Sequence, residues 1–166
     1  MHWDINPENF FIAGKIVKLG DFGESKVLEN GNITGQHTGK VGTEMYMSPE
    51  MIKHKGRGRV PYSYKTDIWG IGMVFSELMC LEYPFDVTNQ LERINAIANC
   101  QNFWEIPEIY PEVLRNITKL MLSHDPHEWP DGDWICTVLE EFIKENNWTL
   151  ETLDINIPDF CMICDE

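Results

Sequence analysis

The sequence has few basic residues and no long hydrophobic run. Of its 166 residues, 13 are lysine or arginine and 27 are aspartate or glutamate, so the formal net charge is −14. A chain with this charge is repelled by the phosphate backbone of a nucleic acid, which is therefore not expected as a partner. The longest apolar window, residues 68–81, contains Glu77 and is too short to span a bilayer. No membrane role is expected either.

The sequence also lacks a secretory signal peptide, because His2 and Asp4 follow Met1 almost directly. Its five cysteines include one C-x-x-C, formed by Cys161 and Cys164, and a zinc site would need further ligands nearby. An odd number of cysteines suits a reducing compartment better than a disulfide framework. These absences predict a cytoplasmic protein with free thiols.

Oxygen-bearing side chains recur at a recognisable spacing near the beginning of the sequence. Asp4 and Asn9 stand five positions apart in the string H-W-D-I-N-P-E-N, and Asp21 begins a D-F-G after a short β-like stretch. This order matches the H-R-D-x-x-x-x-N and D-F-G patterns of protein kinases. In those patterns the first aspartate accepts the proton of the substrate hydroxyl, while the asparagine and the second aspartate hold Mg²⁺ against the nucleotide phosphates.

Further motifs follow in the order found in kinases. Thr43 lies in a G-T, and M-S-P-E at residues 47–50 resembles the end of a kinase activation segment, with Ser48 in place of the usual alanine. The string D-I-W-G-I-G at residues 67–72 resembles the start of the large central helix of the C-terminal lobe. The chain thus resembles a partial protein kinase domain over residues 1–143, which leaves 144–166 as an acidic C-terminal tail.

A more local resemblance is to the kinases that phosphorylate the α subunit of translation initiation factor 2. It rests on the strings T-G-K-V-G-T-E-M-Y-M-S-P-E at 38–50, Y-S-Y-K-T-D-I at 62–68, Y-P-F at 83–85 and L-E-R at 91–93. The resemblance implies that Thr38 is a phosphorylation site of the activation loop and that Thr43 is a second regulatory position. It also implies that the helix beginning near Thr88 docks the substrate, the α subunit of initiation factor 2.

Departures from the kinase pattern predict impaired catalysis. No G-x-G-x-x-G and no V-A-I-K-like string occurs, so the resemblance implies that the ATP-binding upper lobe is missing. Trp3 replaces the arginine that pairs with a phosphorylated activation loop. Asn6 replaces the catalytic lysine, and losing one such electrostatic stabiliser typically costs about 2.7 to 4 kcal/mol. Trp129 replaces the arginine of D-P-x-x-R-P, which would pair with the glutamate that matches Glu50.

The fold class that follows is mainly α, a kinase-like C-lobe fragment with a short β-hairpin that bears the catalytic and D-F-G loops. Residues 10–20 are predicted to form two strands about a turn. Helical spacing of apolar residues predicts a central helix, buried on nearly all sides, over residues 64–81. Further helices are predicted over residues 91–100, 113–122 and 133–144.

Three functional interpretations remain open. The chain is the catalytic half of an initiation-factor-2 α-subunit kinase, inactive alone and binding Mg²⁺ and ATP only when an upper lobe complements it. Alternatively, it is a truncated gene model of an active ATP-dependent kinase. In the third interpretation it is a non-catalytic mimic of the lower lobe that binds and inhibits a related kinase. The expected partner is the missing upper lobe in the first two and a related kinase in the third.

Overall fold

The structure, a computed structural model, describes residues 1–14, 16–25, 28–29, 32–33, 43–54, 63–85, 87–101 and 103–148. The strands in this part of the chain are β1 (Phe10–Ala13), β2 (Ile16–Leu19), β3 (Leu28–Glu29) and β4 (Asn32–Ile33). The helices are α1 (Pro49–His54), α2 (Lys65–Cys80), α3 (Gln90–Asn99), α4 (Glu112–Met121) and α5 (Gly132–Glu145). The predicted phosphorylation site at Thr38, the C-x-x-C and residues 149–166 of the tail lie outside the described residues.

Strands β1 and β2 form the antiparallel hairpin that was predicted over residues 10–20. Gly14 makes the turn with a φ of 63°, in the left-handed region that glycine enters without a Cβ clash. At the open end of the hairpin, the N–H of Gly20 donates to the carbonyl of Asn9 at 2.9 Å. The hairpin therefore places Asn9 beside the residue that precedes Asp21.

Helix α2 is the centre of the core. Trp69 and Met73 on this helix are both fully buried. The helix predicted over residues 64–81 is confirmed to within one residue at each end. The expectation that it is buried on nearly all sides is wrong at Leu78, which is 61% exposed. Apolar periodicity indicates which residues could be buried, whereas the packing of the neighbouring elements decides which ones are.

Two glycines of α2 let other segments pack directly against its backbone. A Cβ atom added at Gly72 would lie 2.8 Å from the Cβ of Met121 on α4. A Cβ added at Gly70 would lie 2.7 Å from the Cβ of Ile5. Any larger residue at either position would push its neighbour away. Gly70 therefore allows the loop that contains Asp4 to pack directly against α2.

An aromatic cluster joins α2 to the segments around α4. The ring of Trp69 lies 5.6 Å from that of Trp129 and 6.2 Å from that of Phe103, and Phe103 lies 4.2 Å from Phe85. Trp129 is 1% exposed, and its Nε1 donates to the carbonyl of Ser123 at 2.7 Å. The residue that replaces an arginine of the kinase pattern is thus an integral part of the core.

The three remaining predicted helices are confirmed as α3, α4 and α5, each with bounds within one residue of the prediction. Asn89 begins α3 by accepting the backbone N–H of Glu92 at 2.8 Å on its side chain, as N-cap residues do. The predicted domain boundary at residue 143 falls inside α5. In the described part of the chain, no helix combines the length and the apolar character needed to cross a membrane.

Candidate functional site

One carboxylate of α2 holds the loop that precedes β1. Asp67 accepts the backbone N–H of His2 at 2.7 Å on one oxygen and that of Trp3 at 2.9 Å on the other. Trp3 has a φ of 71°, a left-handed conformation that costs a residue with a side chain about 1 to 3 kcal/mol. The two charge-assisted bonds offset this strain. Sequence reasoning missed the role of Asp67, which an acidic residue in a mostly apolar helix could have signalled.

His2 connects this loop to the D-F-G. Its Nε2 lies 2.8 Å from the carbonyl oxygen of Gly20, and the edge of its ring packs against Phe22 with centroids 4.9 Å apart. His2 is 5% exposed and the neighbouring Trp3 4% exposed. The position at which the kinase pattern has an arginine therefore holds a buried, uncharged indole.

Asp4 is the centre of the candidate site. Its Oδ1 accepts the backbone N–H of Thr43 at 2.7 Å and the side-chain amide of Asn6 at 3.0 Å. The amide of Asn9 donates to Oδ2 of Asp4 at 3.2 Å and to its carbonyl at 2.7 Å. The structure thus brings together four of the residues singled out in the sequence. Thr43, predicted as a regulatory position, is observed as a direct partner of Asp4.

Asn6 lies between Asp4 and Thr43, at the position where the kinase pattern has a lysine. It is 2% exposed, and its Nδ2 also lies 3.2 Å from the hydroxyl of Thr43. The Oδ1 of Asn6 accepts the backbone N–H of Glu8 at 3.0 Å. An amide therefore bridges Asp4 and Thr43 and keeps their geometry. It supplies no positive charge for a phosphate, which is the contribution that matters most in phosphoryl transfer.

Asn9 and Asp21 offer oxygen atoms to a cation. Because the NH₂ group of Asn9 is directed to Asp4, its amide oxygen is the atom available for a metal. Asp21 is exposed, has a φ of 54°, and accepts the N–H of Gly23 at 3.3 Å. Mg²⁺ is usually held by one or two protein groups together with substrate phosphates, and this pair fits that role. Neither here nor elsewhere in the described residues do three His, Cys, Asp or Glu side chains form a cluster that suits a metal ion.

Thr88, the predicted docking position, lies apart from this set, in the exposed turn before α3. The segment that contains this turn is tied to the site through Tyr83, whose hydroxyl donates to the carbonyl of Met45 at 2.5 Å. Arg93 of α3 packs over the Tyr83 ring at 5.2 Å and donates to the carbonyl of Val87 at 3.3 Å. The structure therefore connects α3 to the segment that carries Thr43.

Glu50 has no guanidinium partner from position 129, because Trp129 is in the aromatic core. Its Oε1 accepts the hydroxyl of Ser48 at 2.7 Å and that of Thr66 at 3.3 Å. Its Oε2 is buried without a hydrogen-bond partner among the described residues. Ser48 thus gives its hydroxyl hydrogen to this carboxyl. Burial raises the pKa of Glu50, and the hydroxyl bonds oppose the rise only in part.

The raised pKa predicts that the stability of Glu50→Gln, relative to that of the parent, increases as pH increases. A carboxyl whose folded pKa is raised stabilises the fold below its unfolded pKa and loses this contribution as pH rises through the folded pKa. Lys53 is the charged group that favours the ionised form of Glu50, and the nearby thiol of Cys100 has its own pKa raised to about 11, mainly by burial. We expect the melting temperature of Glu50→Gln minus that of the parent to increase between pH 5 and pH 8. The same substitution at exposed Glu141 should give no such trend, and equal trends would contradict the prediction.

The family model described as protein kinase domain matches residues 1–138 of the chain. With the loop, the D-F-G and the central helix arranged as above, the chain belongs to the protein kinase family. It is 36% identical over 132 residues to probable serine/threonine-protein kinase nek2 of Dictyostelium discoideum, an alignment covering 79% of this chain and 29% of the relative. Serine/threonine-protein kinase Nek11 of Macaca fascicularis is 33% identical over 132 residues, an alignment that covers 80% of this chain and 20% of the relative.

A relative of the narrower predicted type is also similar to the chain. Eukaryotic translation initiation factor 2-alpha kinase 3 of Rattus norvegicus is 34% identical over 160 residues, covering 88% of this chain and 13% of the relative. The chain spans less than a third of the length of each of these relatives. The resemblance to protein kinases is confirmed, and the relatives are serine/threonine kinases. The initiation-factor kinase is one of several relatives of comparable similarity.

Proposed function

We propose that the chain is the lower part of a serine/threonine protein kinase domain that acts on the α subunit of translation initiation factor 2. It transfers no phosphate unless an upper lobe is joined to it. The observation that carries the proposal is the arrangement around Asp4, whose carboxylate is oriented by Thr43, Asn6 and Asn9. Asp21 adds a second carboxylate, an exposed one, next to the residue that pairs with Asn9.

These side chains would divide the work of phosphoryl transfer. Asp4 would accept the proton of a substrate hydroxyl, and Asn9 would hold its carboxylate in place while directing an amide oxygen to Mg²⁺. The nucleotide would supply the phosphoryl group, and its metal would neutralise the charge that develops there. Asn6 would keep Asp4 oriented without adding charge, so we expect slower transfer than a lysine would give.

The choice of substrate class rests on the sequence and its relatives. It draws on the activation-segment strings and on the similarity to the rat initiation-factor kinase over 88% of this chain. Within this proposal, Thr38 is phosphorylated in the activation loop and the turn at Thr88 docks the substrate. Thr88 is exposed in the turn that precedes α3.

A second candidate function is binding to a related kinase as a mimic of its lower lobe. The hairpin favours it, because apolar side chains are exposed on both of its faces. Phe11 and Ile16 lie on one face with exposures of 46% and 59%, and Ile12 and Val17 lie on the other with 51% and 62%. Contiguous exposed apolar surface of this kind marks an interaction site. An upper lobe in the same polypeptide or one in a different kinase would cover it.

Fusing the upper lobe of an initiation-factor-2 kinase in frame before Met1 tests the proposal. We expect the chain alone to transfer no label from radioactive ATP to the α subunit, whereas the fusion does so. Asp4→Asn in the fusion should lower the rate by about 10² to 10⁴, because it removes the general base. Asp21→Ala should abolish the rise in melting temperature that ATP with Mg²⁺ gives.

Each outcome separates the candidates. Transfer by the isolated chain that is lost in Asp21→Ala would contradict the requirement for an upper lobe. A fusion that binds ATP but transfers nothing, together with inhibition of a related kinase by the isolated chain, would favour the mimic. A fusion that labels other serine or threonine proteins but not the α subunit would leave the kinase function standing and refute the substrate.

A further inference from the structure

Residues 43–54, here called the Thr43 segment, form one side of the candidate site and end in α1. The segment begins at Thr43, whose N–H donates to Asp4 at 2.7 Å. Its middle is held by Tyr46, whose hydroxyl donates to Glu77 at 2.7 Å. Its helix is held on the first turn of α2, where Thr66 donates to Glu50 at 3.3 Å. The position of Thr43 therefore depends on contacts several residues away.

Neighbouring residues of α2 hold the two sides of the site. Asp67 binds the backbone of His2 and Trp3, the loop that leads into Asp4. Thr66, one residue earlier, binds Glu50 of the Thr43 segment. The hydrogen bond from Thr43 to Asp4 then closes a ring of contacts that begins and ends on the first turn of α2.

We propose that Ser48 and Thr66 are positioning residues for Asp4. Their hydroxyls hold the carboxyl of Glu50 and so fix the Thr43 segment where the Thr43 N–H reaches Asp4. The inference deepens the proposed function, since Asp4 is the general base there, but it concerns geometry that exists without nucleotide or substrate.

The surroundings of Glu50 make both hydroxyl hydrogen bonds important for holding its carboxyl in place. Ser48 is 0% exposed and Thr66 6% exposed, and both donate to the same oxygen. The other oxygen is buried without a hydrogen-bond partner among the described residues. If the carboxyl of Glu50 loses one of these donors, water cannot take its place, because the carboxyl is shielded from solvent. The loss of a hydrogen bond there is therefore costly. Losing either hydroxyl should loosen the whole segment.

The test is amide hydrogen exchange in the full chain, followed by NMR. Ser48→Ala and Thr66→Val each remove one hydroxyl, and we expect each to speed exchange of the Thr43 amide by about tenfold or more. The Gly20 amide, which bonds Asn9 on the other side of the site, should keep its rate. Thr66→Ser, which retains the hydroxyl, should restore slow exchange at Thr43.

Ser76→Ala is the matched control, because Ser76 is a buried serine of α2 at 1% exposure, ten residues beyond Thr66. Unchanged exchange at Thr43 in Ser48→Ala, or an equal acceleration at Thr43 and Gly20, would overturn the proposal. If Thr66→Val does not fold, Ser48→Ala decides alone, since it removes a single oxygen and adds no atom to the core. An inactive fusion with accelerated exchange at Thr43 would refute the proposed function and leave this inference intact.

Discussion

Asp67→Asn is expected to lower the free energy of unfolding by roughly 1.5 to 3 kcal/mol, since it removes one of two hydrogen bonds to a charged acceptor and each contributes about that much. The amide can accept one of the N–H groups of His2 and Trp3, but its NH₂ then faces the other. The left-handed backbone at Trp3 loses the bond that offsets its strain. Urea denaturation followed by circular dichroism measures the change.

The control for this substitution is Asp133→Asn, in the first turn of α5. Both variants remove one negative charge near a helix N-terminus, which costs about 0.3 to 1 kcal/mol. A loss confined to that range in Asp67→Asn would mean that the loop is held mainly by other contacts, with Gly70 against Ile5 as the first of these.

Trp129→Ala is the second large effect, with an expected loss of about 3 to 5 kcal/mol in unfolding free energy. The substitution removes the ring that packs on Trp69 and the Nε1 that binds the carbonyl of Ser123. The cavity would lie at the junction of α2 with the segment before α5, which leaves the surrounding side chains little freedom to collapse. Thermal and urea unfolding would both register the loss.

Trp134→Ala provides the comparison, because Trp134 is 46% exposed on α5. Its truncation deletes the same side chain at a position open to solvent, so we expect a loss of less than about 1 kcal/mol. Similar losses in the two variants would contradict the assignment of Trp129 to the core. They would indicate instead that the aromatic cluster relaxes around the missing ring.

The helices could be read from the sequence because their signals are local. The apolar spacing of residues 64–81 reports which side chains face one direction, and it predicts the bounds of α2 to within one residue. It could not report that Leu78 is exposed, since that depends on which segments pack beside it. The hairpin over residues 10–20 could be predicted equally well, because two short apolar runs on either side of a glycine have few alternative structures.

The site was predictable where its residues lie close together in the sequence. Asp4 and Asn9 belong to one loop, so their spacing in the sequence is enough to predict that they are in contact. The contact of Asn6 with Thr43 joins residues 37 positions apart, and that of Thr66 with Glu50 joins residues 16 apart. Such contacts form only after α2 has gathered both segments, and no spacing rule encodes them. The hydroxyl of Thr66 was missed as a partner of Glu50 for this reason.

The direct packing of a loop and a helix on the backbone of α2 has a consequence for how this protein can change. Ile5 meets α2 at Gly70 and α4 meets it at Gly72, two residues further along the same helix. No side chain of α2 stands between its backbone and these neighbours. A change in core volume that shifts α2 by a fraction of an ångström would therefore also displace Ile5, the residue that follows Asp4. Substitutions chosen to stabilise the interior would therefore alter the geometry around Asp4 as well.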